Sequence, residues 1–87
     1  MLRIIGTSIE KLNEYRNPQK VVFTVITGGQ TVYVATDQTI LRSSVGGQQQ
    51  GTPITSTAQV ALDVMGQIWW VASAAGVQVD VLEAGAL

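Results

Sequence analysis

The stretch Gln59–Glu83, QVALDVMGQIWWVASAAGVQVDVLE, decides the fold class of this chain. Three runs of alternating residues, QVALDV, QIWWVAS and VQVDVLE, are separated by short segments that contain Gly66 and Gly76. Alternation with a period of two is typical of half-buried strands, and short glycine turns join antiparallel neighbours. The stretch therefore predicts a three-stranded antiparallel meander with tight turns at Met65-Gly66 and Ala74–Gly76.

The predicted turns decide which side chains share a face of this meander. A two-residue turn at Met65-Gly66 reverses the alternation between the first two strands. One face is then uniformly apolar and is expected to form the core: Val60, Leu62, Val64, Trp69, Val71, Val79 and Val81. The other face is mixed and is expected to lie on the surface: Asp63, Ile68, Trp70, Ala72, Gln78, Asp80 and Leu82.

A second unit, KVVFTVITGGQTVYVAT at Lys20–Thr36, predicts a hairpin. Gly28-Gly29 separates two β-branched runs, and paired glycines suit a type I′ turn, which needs positive φ at both central residues. The expected inward residues are Val21, Phe23, Val25, Val32 and Val34, with Val25 opposite Val32 and Phe23 opposite Val34. The reverse side is more apolar than a solvated face requires and carries Val22, Thr24, Ile26, Thr31, Tyr33 and Ala35. The two apolar faces are expected to stack about 10 Å apart, as in a sandwich.

The N-terminal residues carry weaker signals. Leu2–Ile5 is expected to be a short edge strand or an arm that reaches a neighbouring subunit. Thr7–Glu10 fits a helix capping box, but Pro18 limits such a helix to about two turns, which is marginal without packing. An irregular or extended segment is therefore favoured over a helix.

The middle and the end of the chain are less regular. Asp37–Ser43, DQTILRS, predicts a short strand with Ile40 facing inward. Ser43–Thr57 lacks periodicity, and loops of this length are usually functional or mobile. Order is expected to resume at Pro53-Ile54, and Ala84–Leu87 is expected to fray.

Together these patterns predict one all-β domain, a small antiparallel β-sandwich or jelly-roll-like barrel with an N-terminal arm. The arm or short helix would span residues 1–19 and the sandwich residues 20–87. A chain of 87 residues without cysteine has no disulfide to support its small core. Small domains often gain stability by oligomerising, so we expect a homo-oligomer.

The residue inventory argues against a catalytic or metal site. The chain has no histidine and no cysteine, which removes the commonest general base, the thiolate nucleophile and the usual transition-metal ligands. No acidic cluster has the spacing of a calcium loop, so neither a metal nor a cofactor is expected. Asp63 and Asp80 beside Trp70 could form a glycosidase pair in principle, but an exposed sheet supplies no cleft to shift a carboxyl pKa. Trp70 could also stack on a sugar ring, and a protein contact through this face is favoured over both.

Charge is sparse and uneven along the chain. Five basic and six acidic residues give a net charge of −1, and all five bases precede residue 43. Scattered bases do not make a nucleic-acid footprint. No apolar run approaches membrane-spanning length, and the N-terminal LRIIG is too short for the apolar core of a signal peptide. We expect neither nucleic acid nor a membrane as a partner, while the basic half of one copy could complement the acidic half of another.

Three pieces of the chain resemble small structural modules of tailed-bacteriophage virions. They are Thr31–Val34 (TVYV), Gly66–Ser73 (GQIWWVAS) and Val79–Glu83 (VDVLE), with a Ser/Gly-rich loop and a proline-containing segment after the first. The resemblance covers about Lys20–Gly85. It implies a β-sandwich or jelly-roll-like virion component, either a capsid decoration (cement) protein or a tail- or fibre-associated module that binds carbohydrate or a receptor.

Of these, the decoration protein is favoured for a chain of this length. The resemblance implies a non-enzymatic protein that forms a homo-oligomer, by analogy a trimer, and binds the major capsid protein. It would be made in the host cytoplasm and located on the capsid surface of the virion. The expected interface residues come from the outer face, the middle loop and the N-terminal arm: Leu2, Ile4, Tyr33, Val45, Gln48, Gln49, Gln50, Ile68, Trp70 and Leu82.

Overall fold

The computed structural model describes residues 1–55 and 59–86, and most of these residues are in β-strands. The elements are β1 (Leu2–Ile5), β2 (Glu10–Val25), β3 (Thr31–Ala35), α1 (Gln38–Arg42), β4 (Ser44–Val45), β5 (Gln48–Gln49), β6 (Thr52–Thr55), β7 (Gln59–Ala72) and β8 (Val77–Ala86). The predicted all-β class is confirmed. Six antiparallel strands form one curled sheet in the order β1-β8-β2-β7-β3-β6, and β4 and β5 form a separate small hairpin.

The two predicted hairpins interlock, and neither folds back on itself. The sequence predicts that β2 pairs with β3 and that β7 pairs with β8. Instead β7 lies between β2 and β3, and β2 lies between β7 and β8. Phe23 therefore lies opposite Val60 and Val81, not opposite Val34. Long-range pairing along the 16-residue β2 outweighs the local preference of each glycine turn.

The predicted turn at Met65-Gly66 is wrong, because β7 runs straight through it. Gly66 has φ 81° and lies opposite Tyr15, where the register of β2 against β7 shifts. Between the pairs Tyr15–Gly66 and Gln19–Val64 the extra residues belong to β2, so the bulge lies in β2. A glycine adopts positive φ at little steric cost, and β7 continues through Gly66.

A continuous β7 preserves the alternation that a turn would have reversed. The even-numbered residues on both sides of Gly66 therefore point inward, namely Val64, Ile68, Trp70 and Ala72. Ile68 and Trp70 are 1% and 0% exposed, so their predicted place on the surface is wrong. Trp69, expected in the core, is only partly buried.

The core is one apolar cluster enclosed by the curl of the sheet. The predicted inward residues of β2 and β3 are confirmed as members: Val21, Phe23, Val25, Val32 and Val34. Trp70 is the largest fully buried side chain, and Phe23 packs edge-on against it with ring centroids 6.4 Å apart. The Arg3 guanidinium lies 5.5 Å from the centroid of the Trp70 ring, within range of a cation–π contact.

The N-terminal residues belong to the sheet. Leu2–Ile5 is the expected edge strand and pairs with β8, whereas Thr7–Glu10 forms no helix. β2 begins at Glu10 and passes through Pro18. A register shift between Lys11 and Asn13 marks a bulge at Leu12, so Leu12 and Tyr15 are both buried although they are three residues apart.

The segment 37–43 contains the helix α1 (Gln38–Arg42) and not the predicted strand. The Asp37 carboxylate accepts a hydrogen bond of 2.9 Å from the Thr39 N–H and caps α1. Leu41 is 2% exposed, while Ile40, the expected inward residue, is 41% exposed. Because the segment is helical, Leu41 points to the core in place of Ile40, which an alternating strand would have directed inward.

The long middle segment is more ordered than its composition predicts. Within Ser43–Thr57 the structure describes a β4–β5 hairpin with its turn at Gly46-Gly47, followed by β6. The predicted return of order at Pro53-Ile54 is confirmed, since Ile54 is fully buried. Residues 56–58 and 87 lie outside the described part of the chain. Up to Ala86 the predicted fraying is wrong, because Ala86 pairs with Gln19.

Tyr15 makes the stability of this fold sensitive to alkaline pH. Burial raises the pKa of its phenol, a hydrogen bond with Asn13 opposes this, and the Glu83 carboxylate raises it further. The neutral phenol is favoured in the folded state. The contribution of Tyr15 to the free energy of unfolding is therefore complete below pH about 10 and is lost as pH rises through the folded-state pKa. We expect the free energy of unfolding, measured in urea between pH about 8 and 12, to fall more steeply for the wild type than for Tyr15→Phe. Parallel curves for the two proteins would contradict this role.

Candidate interaction surface

Asp63 and Asp80, which were considered as a glycosidase pair and not favoured, do not come together. Asp63 lies opposite Lys20 and Asp80 lies opposite Thr24, four residues apart along β2. That spacing corresponds to about 13 Å along the strand, beyond the separations used for retaining or inverting hydrolysis. Trp70 is fully buried and cannot stack on a sugar ring. Within residues 1–55 and 59–86, no group of three or more metal-ligating side chains is found.

A pocket of about 280 Å³ opens between β3, α1 and β7. Most of its lining is apolar, including Val34, Ile40, Leu62, Val64 and Ile68. Among the described residues that line the pocket, Asp63 is the only charged one. The pocket therefore offers apolar volume without a paired acid and base.

The outer side of β1, β8 and β2 is the most apolar exposed sheet surface. Leu2 lies opposite Asp80, Ile4 opposite Gln78, and Val22 opposite Leu82. Residues directly opposite one another share a face of the sheet. Four large aliphatic side chains project from this surface, the β1–β8–β2 face: Leu2 (53% exposed), Ile4 (65%), Ile26 (48%) and Leu82 (54%).

The same strands are also apolar on their inner side, where Val77, Val79 and Val81 are buried. When one face of an antiparallel sheet is exposed to solvent, that face normally carries polar residues. The charged side chains of the β1–β8–β2 face include Asp80, whose carboxylate accepts a hydrogen bond of 3.2 Å from the N-terminal amine. They also include Lys20, which lies on the same side of β2 as Val22 and opposite Asp63 of β7. A face with four exposed aliphatic side chains, on which the Asp80 charge is already paired, is suited to burial against another protein.

The predicted interface residues fall into four places. Leu2, Ile4 and Leu82 lie together on the β1–β8–β2 face. Tyr33 is partly buried on β3, and Val45, Gln48, Gln49 and Gln50 lie in or beside the β4–β5 hairpin. Ile68 and Trp70 are core residues, so their assignment to an interface is wrong for the folded chain.

The glutamines of the hairpin are engaged within the chain. Gln49 Nε2 donates to the Leu41 carbonyl, and Gln50 Nε2 donates to the Gln48 carbonyl at 3.1 Å. Ile26 was not among the predicted interface residues, although it follows β2 on its apolar reverse side and its N–H donates to the Gln78 carbonyl at 2.8 Å. The sequence signal that could have identified Ile26 is the excess of apolar residues on the reverse side of the Lys20–Thr36 unit.

None of the helical structure in residues 1–55 and 59–86 is long and apolar enough to cross a membrane. The three pieces that resemble phage modules lie in β3, β7 and β8 and their flanking residues, and their largest side chains, such as Trp70, are core residues. The resemblance therefore rests more on residues that pack in the core than on residues exposed at the surface. No protein-family model, curated protein or solved structure matches the chain.

Proposed function

We propose that this chain is a non-enzymatic structural protein that binds an assembled protein lattice through the β1–β8–β2 face. The observation that carries the proposal is the set of four half-exposed aliphatic side chains, Leu2, Ile4, Ile26 and Leu82, on one sheet surface. Burying each such side chain in a partner is worth about 1–2 kcal/mol, since roughly half of its area is already removed from water.

The resemblance to tailed-phage virion modules supports a specific lattice, the phage capsid. The chain would then act as a decoration protein that binds the major capsid protein, as a homo-oligomer for which a trimer is the analogy. Such a protein stabilises the capsid by mass action, because it binds the assembled lattice and not the dissociated subunits. A decoration protein needs only to bind its lattice, and an apolar face provides binding without a catalytic group.

We expect Leu82→Lys to abolish co-sedimentation with expanded, undecorated heads of the phage that encodes the chain. A charge at this position would have to be desolvated in the contact, while the isolated chain, in which Leu82 is 54% exposed, should keep its stability within about 1 kcal/mol. Met65→Lys is the matched control, because Met65 is 61% exposed and belongs to β7, away from this face. Light scattering of each variant alone reports whether its oligomer survives.

Equal binding of the Leu82→Lys and wild-type chains to heads would overturn the assignment of this face. Glycan binding in the absence of any binding to heads would instead favour the tail- or fibre-associated alternative. In that case the partly exposed Trp69, and not the buried Trp70, is the aromatic residue to substitute.

A further inference from the structure

One long flank of β1 faces no other strand of the sheet, because β1 is the first strand in the order. Met1 and Val81 exchange both of their backbone hydrogen bonds. Hydrogen-bonded and non-bonded pairs alternate in an antiparallel ladder, so Leu2 and Ile4 are non-bonded toward β8. Their backbone N–H and C=O groups therefore point outward along the open flank. No loop or turn in residues 1–55 and 59–86 bonds to them.

The opposite edge of the sheet is protected where β1 is not. The Ser73 N–H donates to the Thr31 carbonyl at 2.9 Å, so Thr31 and Tyr33 bond toward β7 and not toward β6. Pro53, opposite Tyr33, consequently occupies an outward position of β6. Proline has no N–H to offer, and edge prolines prevent the addition of further strands. β1 carries Leu2 and Ile4 at its outward positions and has no such block.

Arg3, between these two residues, adds a charge to the open edge. Its side chain lies on the inner side with Val79, partly buried over the Trp70 ring. The ion pairs found in the described part of the chain join Met1 to Asp80 and Lys11 to Glu14, and Arg3 is in neither. A strand added to β1 would place a side chain opposite Arg3, and a carboxylate there would form a charge-assisted pair.

A second copy of β1 fits this edge poorly. The antiparallel register that uses the outward groups of both Leu2 and Ile4 is centred on Arg3. It would set the two Arg3 side chains directly opposite each other, which is destabilising. A register centred on Ile4 would need Gly6, whose carbonyl already accepts the Ala72 N–H at 2.9 Å.

We propose that β1 accepts an extended strand from a partner protein by β-augmentation. That strand carries apolar side chains opposite Leu2 and Ile4 and an acidic side chain opposite Arg3. Backbone hydrogen bonds supply affinity in this mode, and the alternating side chains supply specificity. This inference rests on the proposed function in one respect only, which is that the lattice protein is the source of the strand.

A peptide of the sequence Thr-Thr-Val-Glu-Val-Thr-Thr, acetylated and amidated, is the probe. It is titrated to millimolar concentration into the ¹⁵N-labelled full chain, and backbone amide shifts are followed by NMR. We expect the Leu2 and Ile4 amides to shift most, since their N–H groups point at the open flank. Replacing Glu with Lys in the peptide, or N-methylating its two valines, is expected to weaken binding at least about tenfold.

Ile4→Pro tests the same edge from the protein side. It removes an outward N–H and leaves the β1–β8 hydrogen bonds intact, as Pro53 does on β6. We expect peptide affinity to fall at least about tenfold, with Ile4→Val as the matched control that stays within about twofold. If Ile4→Pro unfolds, the N-methylated peptide decides the question with the wild-type chain.

Three results would overturn the proposal. The first is an absence of shifts at Leu2 and Ile4 with millimolar peptide, and the second is equal binding of the N-methylated peptide. The third is a concentration-dependent dimer of the wild type that Ile4→Pro abolishes, which would assign the edge to a second copy. Peptide binding is independent of capsids, so a chain that binds the peptide but no heads refutes the proposed function and leaves the edge site standing.

Discussion

Trp70→Ala is expected to lower the free energy of unfolding by about 3–5 kcal/mol, a large share of the total stability of a domain of this size. Trp70 has no exposed surface, packs against Phe23 and lies beneath the Arg3 guanidinium. Truncation would leave a cavity that two neighbouring strands border and cannot close by a local shift. Urea denaturation followed by far-UV circular dichroism measures the effect.

Two further variants separate packing from hydrogen bonding at this position. Trp69→Ala removes a partly exposed ring whose N–H donates to Gln67 Oε1 at 3.2 Å, and it should cost only about 1 kcal/mol. Trp70→Phe should cost less than Trp70→Ala, because the indole Nε1 of Trp70 has no hydrogen-bond partner in the described part of the chain. A loss below about 1 kcal/mol for Trp70→Ala would place this ring on the surface, as a turn at Met65-Gly66 predicts.

Gly51→Ala is expected to destabilise the chain by about 3 kcal/mol, combining backbone strain with overpacking. Gly51 has φ 119°, which residues with a Cβ rarely adopt, and it joins the β4–β5 hairpin to β6. A Cβ there would lie 2.8 Å from Leu41 Cδ2 and 3.3 Å from the Val34 carbonyl oxygen. The Leu41 side chain can move, but the Val34 backbone is held in β3.

Gly28→Ala is the matched control for this glycine effect. Gly28 does not have positive φ, and nothing lies within 4 Å of the position that its Cβ would take. The free energy of unfolding of the Gly28→Ala variant should stay within about 0.5 kcal/mol of the wild-type value. Equal thermal stability of the two alanine variants would show that the segment around Gly51 is not held against β3 and α1.

Several features of the molecule could be predicted because they depend on local pattern. The all-β class, the strands around Phe23 and Val32 and the burial of Val79 and Val81 all follow from period-two alternation. On the β1–β8–β2 face, Leu82 was predicted from alternation as an outward residue, and Leu2 and Ile4 were predicted as apolar residues of an N-terminal arm.

Other features depend on which strand lies beside which, and local pattern carries no such information. Gly28-Gly29 and Gly66 look alike as turn signals, yet Gly28-Gly29 connects β2 to β3, whereas Gly66 lies inside β7 opposite an irregular part of β2. The difference arises because β2 is long enough to pair with β7 on both sides of Gly66. Once β7 continues, alternation moves Ile68 and Trp70 from the predicted interface into the core.

The sequence alone therefore determined that this chain folds into strands and which residues of most strands are apolar enough to be buried. Only the tertiary structure decided the pairing order, the inward position of Trp70 and the open edge at β1. The physical reason is that alternation is a property of a single strand. Partner choice, by contrast, is a competition among long-range pairings, and here β2 pairs with β7 on one side and with β8 on the other.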